Sequence, residues 1–164
     1  MWFPVFEYVD EWTLPLLPEN GGGAPTQIVD ACFAVGLDLR WRRYGARLDL
    51  NRLQWTLSLL ETGDVHLGVR LEGPDSDVDP SAGDDDRTLD FSVGGVGLHM
   101  DQTLPEAMVV VADIMQTELA GYPPWIQWPI EDKRLLLPTI IDGEAVWRDP
   151  RTNRSVAPIG QLTE

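Results

Sequence analysis

An acidic segment, residues 73–87, carries the densest set of side chains that could do chemistry. Its carboxylates are Asp75, Asp77, Asp79, Asp84, Asp85 and Asp86. Asp75, Asp77, Asp79 and Asp86 have the spacing of a calcium-binding loop, because hard cations prefer several oxygen ligands. However, Pro80 stands where such a loop usually needs Gly for a sharp turn, and Asp86 is too short to replace the usual bidentate Glu. We therefore expect no metal here, and predict a solvated acidic loop or an acidic arm that docks on a basic partner.

The histidines His66 and His99 and the single cysteine Cys32 are the other candidate catalytic groups. His66 falls on the polar face of a predicted strand, and His99 lies close to Asp101. Cys32 is flanked by apolar residues, which favours a buried packing role. A catalytic set using His66 or His99 with a carboxylate would have to assemble in space. The sequence contains no nucleophile elbow, phosphate loop or dinucleotide fingerprint, so we expect no cofactor and favour structural roles.

The formal net charge of −15 is the strongest signal in the composition. It would repel nucleic acid and anionic membrane surfaces, and it suits a basic protein partner. The basic residues cluster in residues 40–47 and again in 133–154. We expect these cations to pair with acids of the same chain or to contribute one face of a protein interface.

Length and cysteine content suggest the compartment and the number of domains. A chain of 164 residues predicts a single domain, residues 1–164. One cysteine excludes an internal disulfide and fits a reducing, cytoplasmic location. The start MWFPVFEYVDEW lacks the basic region of a signal peptide, and no apolar run is long enough to span a membrane.

Hydrophobic alternation predicts an antiparallel pair of strands over residues 53–59 and 65–71, joined by a turn at 62–64. Residues 26–37 permit a helix or a strand, and we favour a strand centred on 31–42. Another strand is expected over residues 87–100, with a bend at its paired glycines.

The best predicted helix begins with a capping box, Thr103-Leu104-Pro105-Glu106, and ends before Pro123-Pro124. Short strands are expected at Arg134–Leu137, Thr139–Ile141 and Ala145–Trp147. These elements predict an α+β fold: a mostly antiparallel sheet of about five or six strands, one main helix packed on it and a C-terminal β-hairpin.

Tryptophans lie near the predicted turns of the C-terminal part. Trp125, Trp128 and Trp147 either pack the hairpin against the sheet or form an aromatic contact surface. We predict Trp125 and Trp128 as partner-binding residues, together with the six carboxylates of the acidic loop.

The segment from Asp113 to Leu162 resembles the C-terminal half of a group of small, mostly uncharacterised bacterial proteins. The shared residues are Trp128-Pro129, Val146-Trp147, Pro150 and Ile159-Gly160-Gln161-Leu162. That group's pattern has a Cys-Pro and a His after the first motif, and a second Cys-Pro after the next. Here Glu131-Asp132, Arg134 and Asp149 stand in those places, so residues 123–164 are expected to form a degenerate ribbon-like hairpin without metal. Glu131 and Asp149 with Lys133 and Arg134 could close the same turns by ion pairing.

Three function classes follow from the sequence. The favoured one is a non-catalytic protein that binds a basic partner, such as the immunity protein of a toxin with a basic surface. The alternatives are an accessory module of a larger complex, and an enzyme that uses His66 or His99 with a carboxylate.

Overall fold

The computed structural model describes residues 7–45, 49–71, 97–121 and 125–164, and in this part the chain forms two α-helices and eight β-strands. In chain order the elements are β1 (Tyr8–Pro15), α1 (Thr26–Asp38), β2 (Leu53–Leu60), β3 (Val65–Leu71), α2 (Leu104–Gly121), β4 (Ile130–Glu131), β5 (Arg134–Leu135), β6 (Leu137–Ile141), β7 (Glu144–Arg148) and β8 (Ser155–Pro158). The paired strands are antiparallel, which confirms the predicted α+β class. The expected single sheet is instead three, and α1 is a second helix.

The first sheet has the order β1-β2-β3. The predicted alternation of β2 and β3 is confirmed, since Trp55 pairs with Val69 and Leu57 with Leu67, all of them buried. The intervening residues face away from the core. Strand β1 was not predicted, because its sequence is rich in exposed aromatic and acidic residues. Of the strand expected over 87–100, residues 87–96 lie outside the described residues.

The prediction of a strand centred on 31–42 is wrong, because residues up to Asp38 form helix α1. The buried residues Ile28, Cys32, Val35 and Leu39 recur at the three- or four-residue spacing of a helix face. A glycine near the end of α1 lets the helix lie directly on the chain after β1. A Cβ added at Gly36 would stand 2.5 Å from the carbonyl oxygen of Leu16.

Helix α2 confirms the predicted capping box. The Thr103 backbone N–H donates to the Glu106 carboxylate at 2.9 Å, and the Glu106 N–H donates to the Thr103 hydroxyl at 3.4 Å. One face of the helix, which includes Val111, Met115 and Leu119, is buried. It packs against α1 and against the C-terminal sheet.

The C-terminal strands are confirmed in part. Strands β4 and β5 form a two-stranded hairpin, and β6-β7-β8 form a separate sheet that includes one strand not predicted, β8. The predicted strand Arg134–Leu137 is interrupted at Leu136, which is buried and whose N–H donates to the carbonyl of Pro129 at 2.9 Å.

Buried apolar side chains from all these layers form a common hydrophobic core. Its largest members are the tryptophans Trp55, Trp128 and Trp147. Within the described ranges, neither helix is long and apolar enough to cross a membrane.

Candidate functional site

The residues predicted to bind a partner differ in their exposure to solvent, and some lie outside the described residues. The acidic loop with Asp75, Asp77, Asp79, Asp84, Asp85 and Asp86 lies outside the described residues. Trp125 is 63% exposed, as a contact residue requires. Trp128 is only 1% exposed, so its assignment to a contact surface is corrected. Its ring meets Trp147 edge to face, with the centroids 5.1 Å apart.

Trp128 and Trp147 both donate hydrogen bonds to Asp38, Trp147 to its carboxylate and Trp128 to its backbone carbonyl. The two oxygens of Asp38, at the end of α1, accept hydrogen bonds from the Trp147 indole N–H at 2.7 Å and from the backbone N–H groups of Gly160 at 2.6 Å and Leu162 at 2.9 Å. The Trp128 indole N–H donates to the Asp38 carbonyl at 3.1 Å. Burial raises the pKa of Asp38, and its N–H donors act in the opposite direction. The Asp38 side chain therefore links the C-terminal segment, through Trp147, Gly160 and Leu162, to the end of α1.

Ion pairs lie at the turns around Glu131 and Asp149. Glu131 lies 3.4 Å from the guanidinium of Arg42 and 3.1 Å from that of Arg154. The hypothesis of ion-paired turns is confirmed in part: Arg134 lies 3.8 Å from Asp149, whereas Glu131 pairs with Arg42 and Arg154 rather than with Lys133. Asp149 also accepts the N–H of Arg151 at 2.9 Å, and that hydrogen bond is the main reason its pKa is lowered. In the described part of the chain, no three His, Cys, Asp or Glu side chains are grouped to hold a metal ion.

His99 and Cys32 are committed to structural contacts. The His99 Nε2 atom lies 3.2 Å from the Thr62 carbonyl, and its Nδ1 accepts the backbone N–H of Asp101 at 3.1 Å. The Nε2 contact thus ties the turn between β2 and β3 to the segment before α2, and the Nδ1 contact lies within that segment. Cys32 is fully buried, and burial raises the pKa of its thiol far above the ordinary range.

His66 lies on the outer face of the first sheet, as predicted. Its Nδ1 is 3.3 Å from the Tyr8 hydroxyl, and the two rings meet edge to face. Its cross-strand neighbour Ser58 donates to the Glu11 carboxylate at 3.3 Å. The arrangement orients these polar groups on a shared face, with the carboxylate directed to the serine hydroxyl.

One end of the first sheet gathers acidic side chains that lie far apart in the sequence. Here β1 begins, β2 turns into β3, and residues 97–101 run beside that turn. Tyr8 pairs with Leu60, and the Met100 N–H donates to the Gly63 carbonyl at 3.0 Å. We call this region the acidic end; its carboxylates, all exposed, belong to Glu7, Asp10, Glu11, Glu61, Asp64 and Asp101.

The acidic end has no cations of its own within the described residues. Residues 7–11, 58–66 and 97–102, which build it, contain neither Lys nor Arg. Exposed apolar side chains lie among the carboxylates: Tyr8 at 45%, Val9 at 60% and Met100 at 39%. Apolar area mixed with charge of predominantly one sign is a surface on which an oppositely charged protein can dock.

Trp125 belongs to a different surface. The neighbouring Tyr44, also exposed, is bonded to Gln127 through both backbone groups, at 2.8 and 2.9 Å. Tyr44 and Trp125 lie near Trp128, which bonds to the C-terminal end of α1 at Asp38. Gln27, near the start of α1, instead bonds to Met100 of the acidic end. The 13 residues of α1 separate the two surfaces by about 20 Å.

A small cavity lies between the first sheet and α2. Its volume of about 10 Å³ is close to that of one water molecule, and it is lined by Trp55, Leu67, Gly68, Val69, Ile114, Met115 and Glu118. One buried oxygen of Glu118 has no hydrogen-bond partner, and burial raises the pKa of the carboxyl. The cavity is too small for an organic ligand.

Neither a protein-family model nor a curated protein or solved structure matches this chain. The interpretation of the site therefore depends on its geometry.

Sequence reasoning overlooked both the acidic end and Asp38. A partial signal was present, since the first basic residue of the chain is Arg40 and none occurs between Arg87 and Lys133. The absence of basic residues does not predict which acidic side chains lie close together. That depends on the pairing of Tyr8 with Leu60, which brings Glu7 near Glu61, and on an isolated bridge that adds the segment around His99.

Proposed function

We propose that the protein is a non-catalytic binding protein whose acidic end docks on a basic surface of a partner protein. The observation that carries the proposal is the set of exposed carboxylates without Lys or Arg around Tyr8, Val9 and Met100. Like charges gathered on one surface raise the rate of encounter with an oppositely charged protein. The apolar side chains would supply contact area once the partner has docked.

An inhibitor of a basic protein, such as the immunity protein of a toxin, is the class that this surface fits best. A binding partner that blocks a cationic site needs complementary charge and a rigid frame more than it needs reactive groups. The frame is supported by hydrogen bonds that join β1, β2, β3 and residues 97–101 at this end. His99 takes part in that frame through its Nε2 atom, which lies 3.2 Å from the Thr62 carbonyl.

The test begins with a partner captured from the native host by the tagged protein and then purified. Its association rate is measured by stopped flow at low and high salt, with the wild type and two variants of equal charge change. Glu7→Lys/Glu61→Lys alters the acidic end at exposed residues. Asp113→Lys/Glu144→Lys is the matched control, because these exposed acids lie on α2 and β7.

We expect the acidic-end variant to associate roughly tenfold more slowly at low salt, and the control to change much less. If both variants slowed association equally, the rate would depend on net charge alone, and the acidic end would not be the binding site. If the captured protein is a toxin, co-expression with the wild type should also restore growth of cells that produce it. Capture of several unrelated proteins would favour the accessory-module alternative.

A further inference from the structure

Strand β1 is the outer strand of the first sheet in the order β1-β2-β3, and no other described strand pairs with its outer edge. Its residues Tyr8, Val9, Asp10 and Glu11 are exposed in succession, on both faces of the strand. Only further along, at Trp12 and Leu14, does one face turn into the core. An edge strand of this kind presents unpaired backbone N–H and C=O groups to which another extended chain can bond.

The charges along this edge discriminate between possible occupants. Glu7 directly precedes β1, and Asp10 and Glu11 lie in its first half. Pairing of β1 with β1 of a second copy would bring these like charges together, which is destabilising. A strand that carries Lys or Arg would meet the same carboxylates with favourable charge.

We propose that β1 receives an extended basic segment of the partner protein as an additional strand of the sheet. This inference rests on the proposed function and specifies how its surface recognises the partner. Backbone hydrogen bonds to the outer edge would hold the segment, about 4.8 Å from β1. On the outer face, a Lys or Arg of that segment would lie beside Glu11, next to the row that continues to Ser58.

The probe is a synthetic eight-residue peptide that alternates Lys with Val or Thr. Two further peptides have the same sequence, one N-methylated at the even residues and the other at the odd residues. N-methylation removes backbone donors along one edge of an extended chain and leaves the charge unchanged. Binding is measured by calorimetry, and hydrogen exchange of the amides in β1 is followed with and without saturating peptide.

We expect one methylated peptide to bind roughly tenfold more weakly and the other to bind within about twofold of the parent. The parent should also slow exchange of β1 amides and leave β8 unchanged. Equal binding by all three peptides, or bound peptide without protection of β1, would overturn edge pairing. Edge pairing can fail in this way while Glu7→Lys/Glu61→Lys still slows association with the natural partner, so the proposed function is judged separately.

Discussion

Removal of the Asp38 side chain should release the C-terminal segment from α1. In Asp38→Ala, the indole N–H of Trp147 and the backbone N–H groups of Gly160 and Leu162 lose their acceptor. Each buried donor left without a partner costs about 1–3 kcal/mol. Relief of the buried carboxylate, which itself costs several kcal/mol, offsets part of this sum. We therefore expect the free energy of unfolding to fall by about 3 kcal/mol.

For a chain of 164 residues, that loss lowers the melting temperature by about 6–12 °C. The assay is urea unfolding followed by tryptophan fluorescence and circular dichroism. Asp30→Ala is the matched control, because it removes an exposed carboxylate from the same helix. Trp147→Phe keeps most of the ring but removes the donor, so a double-mutant cycle with Asp38→Ala measures the coupling of the two side chains.

A local measurement separates this fastening role from a general loss of stability. In Asp38→Ala, the amides of Gly160 and Leu162 should exchange with solvent faster by more than the global change predicts. The reasoning would be refuted if Asp38→Ala and Asp30→Ala were equally stable. It would also be refuted if the cycle gave no coupling between Asp38 and Trp147.

Three further substitutions test individual contacts by urea unfolding. Glu118→Met should raise the free energy of unfolding near pH 8 by roughly 1–2 kcal/mol, because it removes a buried carboxylate oxygen without a partner. Since burial raises the pKa of Glu118, the wild type gains stability as the pH falls through that raised pKa, so the gain of the variant should disappear below the ordinary value of 4.5. Asp149→Asn should show the opposite pH dependence, because the N–H of Arg151 lowers the pKa of Asp149. The wild type should therefore have its full stability advantage over the variant above the ordinary pKa of 3.8, and this advantage should vanish as the pH falls below that value. Gly63→Ala should destabilise the protein by roughly 1–3 kcal/mol, because Gly63 has φ of +88° and a Cβ there would stand 2.7 Å from Nε2 of His99. An Ala variant as stable as the wild type would show that the turn is not constrained.

The parts of the fold that could be predicted are those whose local pattern has one interpretation. Apolar residues at every second position do not fit a helix, and this pattern predicted the ends of β2 and β3 within a residue or two. The capping box likewise fixed the start of α2. The run of small and apolar residues that became α1 fits a helix or a strand equally well, and its packing on Leu16 and on α2 decided the outcome.

The candidate site was harder to predict because it depends on contacts between distant residues. Trp125 and Trp128 have similar neighbours in the sequence, yet one is exposed and the other is buried. Trp128 packs on Trp147 and bonds to the backbone carbonyl of Asp38, 90 residues away, and no local pattern reveals these contacts. The acidic end has the same origin, since its carboxylates come from three separate segments that strand pairing assembles.

Charged side chains lie at the turns of the C-terminal segment, around Glu131 and Asp149. At those positions, Asp149 accepts a turn N–H and faces Arg134, while Glu131 is shared by Arg42 and Arg154. Arg154 is exposed, and the desolvation of the part-buried Arg42 and Glu131 and of the buried Asp149 offsets the attraction in these ion pairs, so the charges alone would hold the segment weakly. The stronger anchor is the buried set of Asp38, Trp128 and Trp147, because it combines apolar burial with satisfied hydrogen bonds. Removal of the Asp38 carboxylate should therefore loosen the segment far more than removal of the surface cation Arg154.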